Sequence, residues 1–336
     1  MAPHKYRLGV IGTLVWDVIY RWPPGSERVE GWGGIAYALS ALAAALPESW
    51  EIVPMLKVGE DVAVQAKAFL STLPHVARET APLIVPQPNN RSEIHYYNEE
   101  RRTELLTGRT PAWEWSELEP RLRESNLDAL YVNFVSGWEL DLNSAKRMRA
   151  MFHGPIYADL HMMLWVAQPN GMRALAPLPR SAEWYGCFDL LQVNEQEMEM
   201  LADSSEALAS EAFREGVLCT VITLGSRGVV YFASPHLDAA NISAAREREV
   251  TIESASAVLI PPRAVQSGPG IDPTGCGDVW GATFFSRLLL GDTPRDAVVI
   301  ANEAAARSAS WRGVTGLIER LLGDRSAELP PTPKSD

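Results

Sequence analysis

The residues Gly275-Cys276-Gly277-Asp278 stand where a loop becomes a helix, inside the stretch "GPGIDPTGCGDVWGATFFSRLLLG" from Gly268 to Gly291. The first N–H groups of a helix have no internal partners, and the macrodipole places about half a positive charge there. Glycines let a bulky anion approach those donors, so the amides of Gly275, Cys276 and Gly277 could form an anion hole without a side-chain cation. Asp278 puts a carboxylate beside it. An aspartate in a first helical turn can serve only as a charge–dipole pair, or it can accept a proton from an attacking hydroxyl. Phosphoryl transfer needs alignment, charge neutralisation and a base, and little else. The dipole would keep Asp278 ionised, which is the form a base requires.

The rest of the chain has to hold that corner in place. Its 336 residues are 46% hydrophobic and 21% charged, enough for a substantial core. A formal charge of −12 argues against a nucleic-acid partner, which needs a basic face. Cys187, Cys219 and Cys276 are scattered and show no metal-ligand spacing, consistent with a reducing cytoplasm. No run approaches the roughly 18 uninterrupted apolar residues of a membrane helix. The N-terminal stretch does not read as a signal peptide. A cytoplasmic protein without a membrane partner is expected.

Strand and helix signals alternate, which predicts an α/β fold with a mostly parallel sheet. "YRLGVIGTLVWDVIY" opens with an apolar strand expected to end at Gly12 and then reaches Asp17. "GWGGIAYALSALAAALPE" passes from Gly33-Gly34 into a small-residue helix stopped by Pro47. Strands and helices continue through "WEIVPMLKVG", "LDALYVNFVSG", "PIYADL", "FDLLQVNEQEMEMLA" and "VLCTVITLGSRGVVYF", the last broken by a turn at Gly225–Gly228. Two helices follow, at about 277–290 and 295–311. Residues 83–108 carry turn chemistry at Pro88-Asn89-Asn90 and no helical stripe, so they are expected to form a hairpin or small sheet with residues near 14–30. One domain over 1–325 is expected, with lid segments about 14–30 and 88–108 and a disordered tail at 326–336.

"DPTGCGDVWGATF" resembles the C-terminal signature of the PfkB (ribokinase-like) carbohydrate kinases, whose usual core is Asp-Thr-x-Gly-Ala-Gly-Asp. Other pieces fall in the family's order across most of the chain: "VIGTLVWD", "GWGGIAYALSALAAAL", "VNEQE", "ITLGSRGVVYF" and "IANEAAARSASWRGV". The resemblance implies a ribokinase-like three-layer α/β sandwich with a small β lid, and an ATP- and Mg²⁺-dependent kinase. By that resemblance Asp278 is the base, and Gly275, Cys276 and Gly277 steady the transferring phosphate. Asp17, Gly33, Gly34, Tyr37 and His161 fall at substrate positions. Asn194, Thr223, Gly225, Gly228 and Asn302 fall at nucleotide positions. Glu197 would organise Mg²⁺ through water, and Asp272 and Thr274 would hold a monovalent cation such as K⁺. Lids of this family often pair between subunits, which implies a homodimer.

Departures from the pattern limit the substrate. Tyr37 stands where ribokinases carry an Asn that holds sugar hydroxyls. "ADLHMMLW" resembles an Asp-x-Asn-x-Arg-x-x-Leu-Trp stretch of sugar-acid and fructose kinases, with His161 and Met163 in place of the Asn and Arg. Loss of that Arg points away from an anionic sugar. Cys276 replaces Ala, and a thiol at a helix N-terminus is expected to be acidified and reactive. Lid aromatics such as Trp16, Trp22, Tyr96 and Tyr97, with Arg101 and Arg102, could cover a sugar ring or stack on a nucleobase. The expected activity is therefore phosphorylation of a hydroxymethyl group on a neutral sugar or relative. The alternatives are a nucleoside kinase and a non-catalytic nucleotide or sugar binder. A dinucleotide enzyme is excluded because "GVIGTLVWD" lacks Gly-x-Gly-x-x-Gly, and a P-loop NTPase because no Gly-Lys-Ser/Thr follows a glycine loop.

Overall fold

The computed structural model describes residues 5–20, 28–96, 102–168, 172–246, 248, 250–262 and 272–323. Trp22, Tyr97, Arg101 and the 326–336 tail lie outside the described residues. The strands in chain order are β1 (Tyr6–Tyr20), β2 (Arg28–Gly34), β3 (Trp50–Gly59), β4 (Leu83–Val85), β5 (Arg91–Tyr96), β6 (Arg102–Thr107) and β7 (Ala129–Asn133). They continue as β8 (Ile156–Asp159), β9 (Trp165–Ala167), β10 (Arg173–Leu175), β11 (Leu190–Asn194), β12 (Cys219–Thr223), β13 (Val229–Ala233) and β14 (Ser256–Ile260).

The central sheet runs β14-β13-β12-β11-β8-β7-β1-β3-β4. From β12 to β4 every neighbouring pair is parallel. β13 and β14 close one edge antiparallel. A parallel sheet buries both faces, and its strands are accordingly apolar almost throughout. One face packs helices Ile35–Ala45, Ala63–Thr72, Cys276–Leu289, Pro294–Ala309 and Leu317–Leu322. The other packs Trp115–Glu124, Leu142–Met151, Ser181–Tyr185, Ser205–Arg214 and Ile242–Arg246. This is the mixed α/β architecture expected from the alternation. No helix among the described residues is long and apolar enough to cross a membrane.

The expected strand end at Gly12 is not there: β1 runs on unbroken to Tyr20. Gly12 is a packing glycine, since a Cβ on it would lie 2.7 Å from the Ile35 side chain. The far half of β1 leaves the central sheet, pairing antiparallel with β2 and parallel with β5, and β5 pairs antiparallel with β6. One strand thus belongs to both the main sheet and a small one.

Asn89 and Asn90, read from sequence as turn residues, are fully buried at the corner between the two sheets. Asn89 Nδ2 donates to the Leu14 carbonyl (2.8 Å), while its Oδ1 accepts from the Gly59 amide (3.1 Å). Asn90 Nδ2 donates to Ser136 Oγ (2.7 Å), its Oδ1 accepts from the Thr110 amide (2.8 Å) and its carbonyl accepts from the Trp16 amide (3.0 Å). Two carboxamides therefore satisfy backbone groups that neither ladder reaches, as buried polar groups require.

The helix Cys276–Leu289 carries Asp278 and is held rigidly. Val279, Trp280, Phe284, Phe285 and Leu288 are buried along it. Each large apolar side chain removed from water contributes about 1.5–3 kcal/mol. Phe285 lies on Tyr157 (ring centroids 5.3 Å), and Tyr157 stacks on Tyr131 (5.0 Å), which ties the helix to β7 and β8.

Candidate active site

In an open parallel sheet, ligands bind in the crevice beyond the carboxyl ends of the strands. Here those ends are polar. Asn133 closes β7, Asp159 closes β8, and Gln192 sits opposite Asp159 on β11; Asn133 and Asp159 are register partners, as are Gln192 and Asp159. One step further out, Asn194 on β11 is paired with Thr223 on β12.

The helix Cys276–Leu289 starts above this row. Gly275 has φ +76°, a left-handed conformation that favours glycine. A Cβ there would also lie 2.3 Å from the Tyr37 ring. The Cys276 amide donates to the Pro273 carbonyl (3.2 Å). Of the expected anion hole, the N–H groups of Gly275 and Gly277 therefore have no partner among the described residues, and that of Cys276 does. Asp278 is half-buried, and Asn133 Nδ2 donates to its Oδ1 at 2.6 Å.

Gln192 locks the helix start to the strands. Its Nε2 donates to Asp159 Oδ2 (2.9 Å) and to the Gly277 carbonyl (3.2 Å), and its Oε1 accepts from the Tyr157 hydroxyl. Both amide hydrogens of Gln192 are used in this way. Gly281 makes the approach possible, because a Cβ would lie 2.3 Å from the Tyr157 hydroxyl and 2.6 Å from Gln192 Oε1.

Asp17 and Gly33 meet across the small sheet. A Cβ on Gly33 would lie 1.7 Å from Asp17 Oδ2, so the carboxylate rests on the bare face of that glycine. Asp17 is 7% exposed and shares its face of β1 with Val15 and Ile19, while Trp16 and Tyr20 point to the other face by strand alternation. Trp16 packs edge-on against Trp32 (5.1 Å) and Tyr20 stacks on His95 (4.3 Å). Gly34 has φ +57° and begins the helix Ile35–Ala45, which carries Tyr37. Tyr37 is 3% exposed. Burial, then the carboxylates of Asp17, Asp272 and Asp278, raise its phenol far above the ordinary range. Tyr37 is thus a neutral hydroxyl within electrostatic reach of three acids.

His161 and Glu197 form a second cluster. His161 Nδ1 and Glu197 Oε1 are 2.6 Å apart. Asn194 caps the helix Glu195–Leu201 by accepting from the Glu197 amide (2.9 Å), and Glu197 returns two bonds, Oε2 accepting from the Asn194 amide (2.8 Å) and Oε1 from Asn194 Nδ2 (2.6 Å). Burial opposes the charged imidazole, but Glu197, Asp159 and Asp278 outweigh it and raise His161 to about 9. Burial pushes Asp159 up to about 8; His161 opposes that shift, while Glu197 and Asp278 add to it. At neutral pH the cluster is an imidazolium held by the Glu197 carboxylate. Glu197 is 1% exposed and accepts three bonds, two from Asn194 and one from His161. No group of three His, Cys, Asp or Glu that could hold a metal occurs among the described residues.

The remaining expected residues take the following places in the fold. Thr223 leads into the 3₁₀ turn Gly225–Arg227, where Gly225 (φ +57°) and Gly228 (φ +99°) carry the reversal into β13. Arg227 pairs with Glu195, which brings this turn to the start of the Glu195–Leu201 helix. Asn302 is turned inward, its Oδ1 accepting from Trp280 Nε1 (2.8 Å) and its Nδ2 donating to the Pro261 carbonyl (3.1 Å). Asp272 Oδ1 accepts from the Thr274 amide (3.1 Å) in an Asx turn, and the Asp272 amide donates to the Ala309 carbonyl (2.8 Å).

The expected activation of Cys276 is overturned. Its thiol points inward toward the carbonyls of Asp272 (3.7 Å) and Ala305 (3.6 Å). Burial first, then the Asp272 and Asp278 carboxylates, push it up to about 12. The helix dipole is outweighed by desolvation and two negative neighbours.

Asn133, Gln192, Asp159 and Tyr157 escaped the sequence reading as site residues. Each lies at or near the carboxyl end of a parallel strand, and that position is the signal that could have found the first three.

Residues 158–320 match the family described as pfkB family carbohydrate kinase. The chain shares its fold with solved structures over nearly its whole length. Ribokinase from Thermotoga maritima has 17% identity and a TM-score of 0.66, with 94% of this chain and 98% of that one covered. Burkholderia thailandensis nucleoside kinase, solved in complex with inosine, has 15% identity and a TM-score of 0.68, with 93% and 94% covered. A pyrophosphate-dependent kinase in the ribokinase family, complexed with a pyrophosphate analog and myo-inositol, has 15% identity and a TM-score of 0.68, with 91% and 96% covered. No curated protein sequence matches the chain.

Proposed function

We propose that the protein transfers the γ-phosphate of ATP to a hydroxymethyl group of a neutral sugar or sugar-like polyol. The observation that carries this reading is the placement of the Asp278 carboxylate in the first turn of a helix whose Gly275 and Gly277 amides have no partner among the described residues. The acceptor hydroxyl gives its proton to Asp278 as its oxygen bonds to the γ-phosphorus. The bond from that phosphorus to the bridging oxygen breaks, and ADP leaves. The two amides meet the charge that builds on the phosphoryl oxygens. Asp17, seated on Gly33, is the group that holds the acceptor's other hydroxyls. Thr223 and the Gly225–Gly228 turn are the groups assigned to the nucleotide in this reading.

A sugar is favoured over a nucleoside because Trp16 and Tyr20 face away from Asp17 and are packed on Trp32 and His95. ADP release from ATP and Mg²⁺ across neutral sugars, cyclitols, sugar acids and nucleosides tests the reading. Turnover of a neutral polyol is expected. Turnover of nucleosides alone would replace it with a nucleoside kinase, and nucleotide binding without turnover would replace it with a non-catalytic binder.

A further inference from the structure

Asn133 is fully buried, at 0% exposure, and closes β7 beneath the helix that carries Asp278. Its Nδ2 lies 2.6 Å from Asp278 Oδ1, across 145 residues of chain. The carboxamide cannot be turned over, since the flip would set its oxygen against a carboxylate oxygen. Its own Oδ1 is buried and meets no donor with hydrogen-bond geometry. The Tyr131 hydroxyl, likewise buried, interacts with Asn133, and that bond opposes the rise that burial imposes on the phenol.

A buried amide whose oxygen meets no donor of good geometry is costly, on the order of 1–3 kcal/mol. Packing alone would be better served at this position by an apolar residue of similar volume. What the amide does accomplish is to fix one oxygen of a half-buried carboxylate. An aspartate has two equivalent oxygens and a soft terminal torsion. A donor on Oδ1 chooses the torsion and leaves Oδ2 the more basic of the two oxygens.

We propose that Asn133 is the positioning residue of Asp278: it ties down Oδ1, so that Oδ2 is the oxygen presented to the acceptor hydroxyl. This rests on the kinase reading above. The hydroxyl proton passes to Oδ2, and Asn133 exchanges no proton in the step. Asn133 acts through Asp278 and touches neither substrate.

The test is a double-mutant cycle on the full chain, with Asn133→Ala, Asp278→Asn and the pair, measured for turnover and, by calorimetry, for ATP and acceptor binding. Asn133→Ala is expected to lower kcat roughly 10- to 100-fold, the scale of a misaligned reacting group, with both KM values within about threefold. In the Asp278→Asn background the same change is expected to do almost nothing further, because the group it positions is gone. An equal loss in both backgrounds would make Asn133 a general structural residue and overturn the proposal. Wild-type turnover that Asn133→Ala leaves intact would overturn the proposal and spare the kinase reading. A wild-type protein that phosphorylates nothing in the panel would overturn both. Asn133→Ser, which keeps a short polar group, serves in the same cycle if the alanine variant does not fold.

Discussion

His161 Nδ1 sits 2.6 Å from Glu197 Oε1, so the carboxylate expected to organise magnesium through water also holds an imidazole. In the unfolded chain that imidazole titrates near 6.5, and in the fold near about 9. The native state binds the extra proton between those values. Its stabilising effect is therefore complete below about 6.5 and is lost as pH rises through about 9. Asp159, raised from 3.8 to about 8, acts in the same direction over a lower window. The thermal midpoint of the wild type is expected to fall between pH 6 and pH 9, and that of His161→Gln to fall less. Parallel curves for the two proteins would contradict the pairing.

Gly33 is expected to tolerate no side chain. A Cβ 1.7 Å from Asp17 Oδ2 must push the carboxylate off its seat. Gly33→Ala should raise the acceptor KM by roughly tenfold or more while leaving the ATP KM close to wild type, as loss of one charged hydrogen-bonding contact predicts. Steady-state kinetics with each substrate varied in turn decides it.

Gly281→Ala is a test of the link between strands and helix. The added methyl would collide with the Tyr157 hydroxyl at 2.3 Å and with Gln192 Oε1 at 2.6 Å. Overpacking of this kind costs about 1–3 kcal/mol. It should also loosen the Gln192 bond to the Gly277 carbonyl, so kcat should fall along with stability. Denaturant unfolding and turnover measured together would show whether the two losses travel as one.

Cys276 should resist alkylation. With its thiol pushed up to about 12 and turned toward two carbonyls, iodoacetamide at pH 7.5 is expected to leave it unlabelled in the folded protein. Mass spectrometry of the treated chain reads this directly, with urea-unfolded protein as the positive control.

Much of the fold was legible because parallel strands buried on both faces are apolar runs, and the helices between them are bounded by glycine and proline. The break at Gly12 was misread since a glycine that admits Ile35 looks the same in sequence as one that ends a strand. Asp278 and its glycines could be found from local chemistry alone. The strand-end position of Asn133 was legible, but its partner was not, because Asp278 lies 145 residues away. Cys276 failed for a related reason: helix position is local, whereas desolvation and the Asp272 and Asp278 charges are set by tertiary packing.

The most direct test of the account is phosphoryl transfer by Asp278→Asn, with the affinities for ATP and acceptor measured on the same protein. A kcat lower by about a hundredfold or more with both affinities retained is predicted for loss of a general base. Equal turnover in the two proteins would remove Asp278 from the chemistry and with it the proposed mechanism.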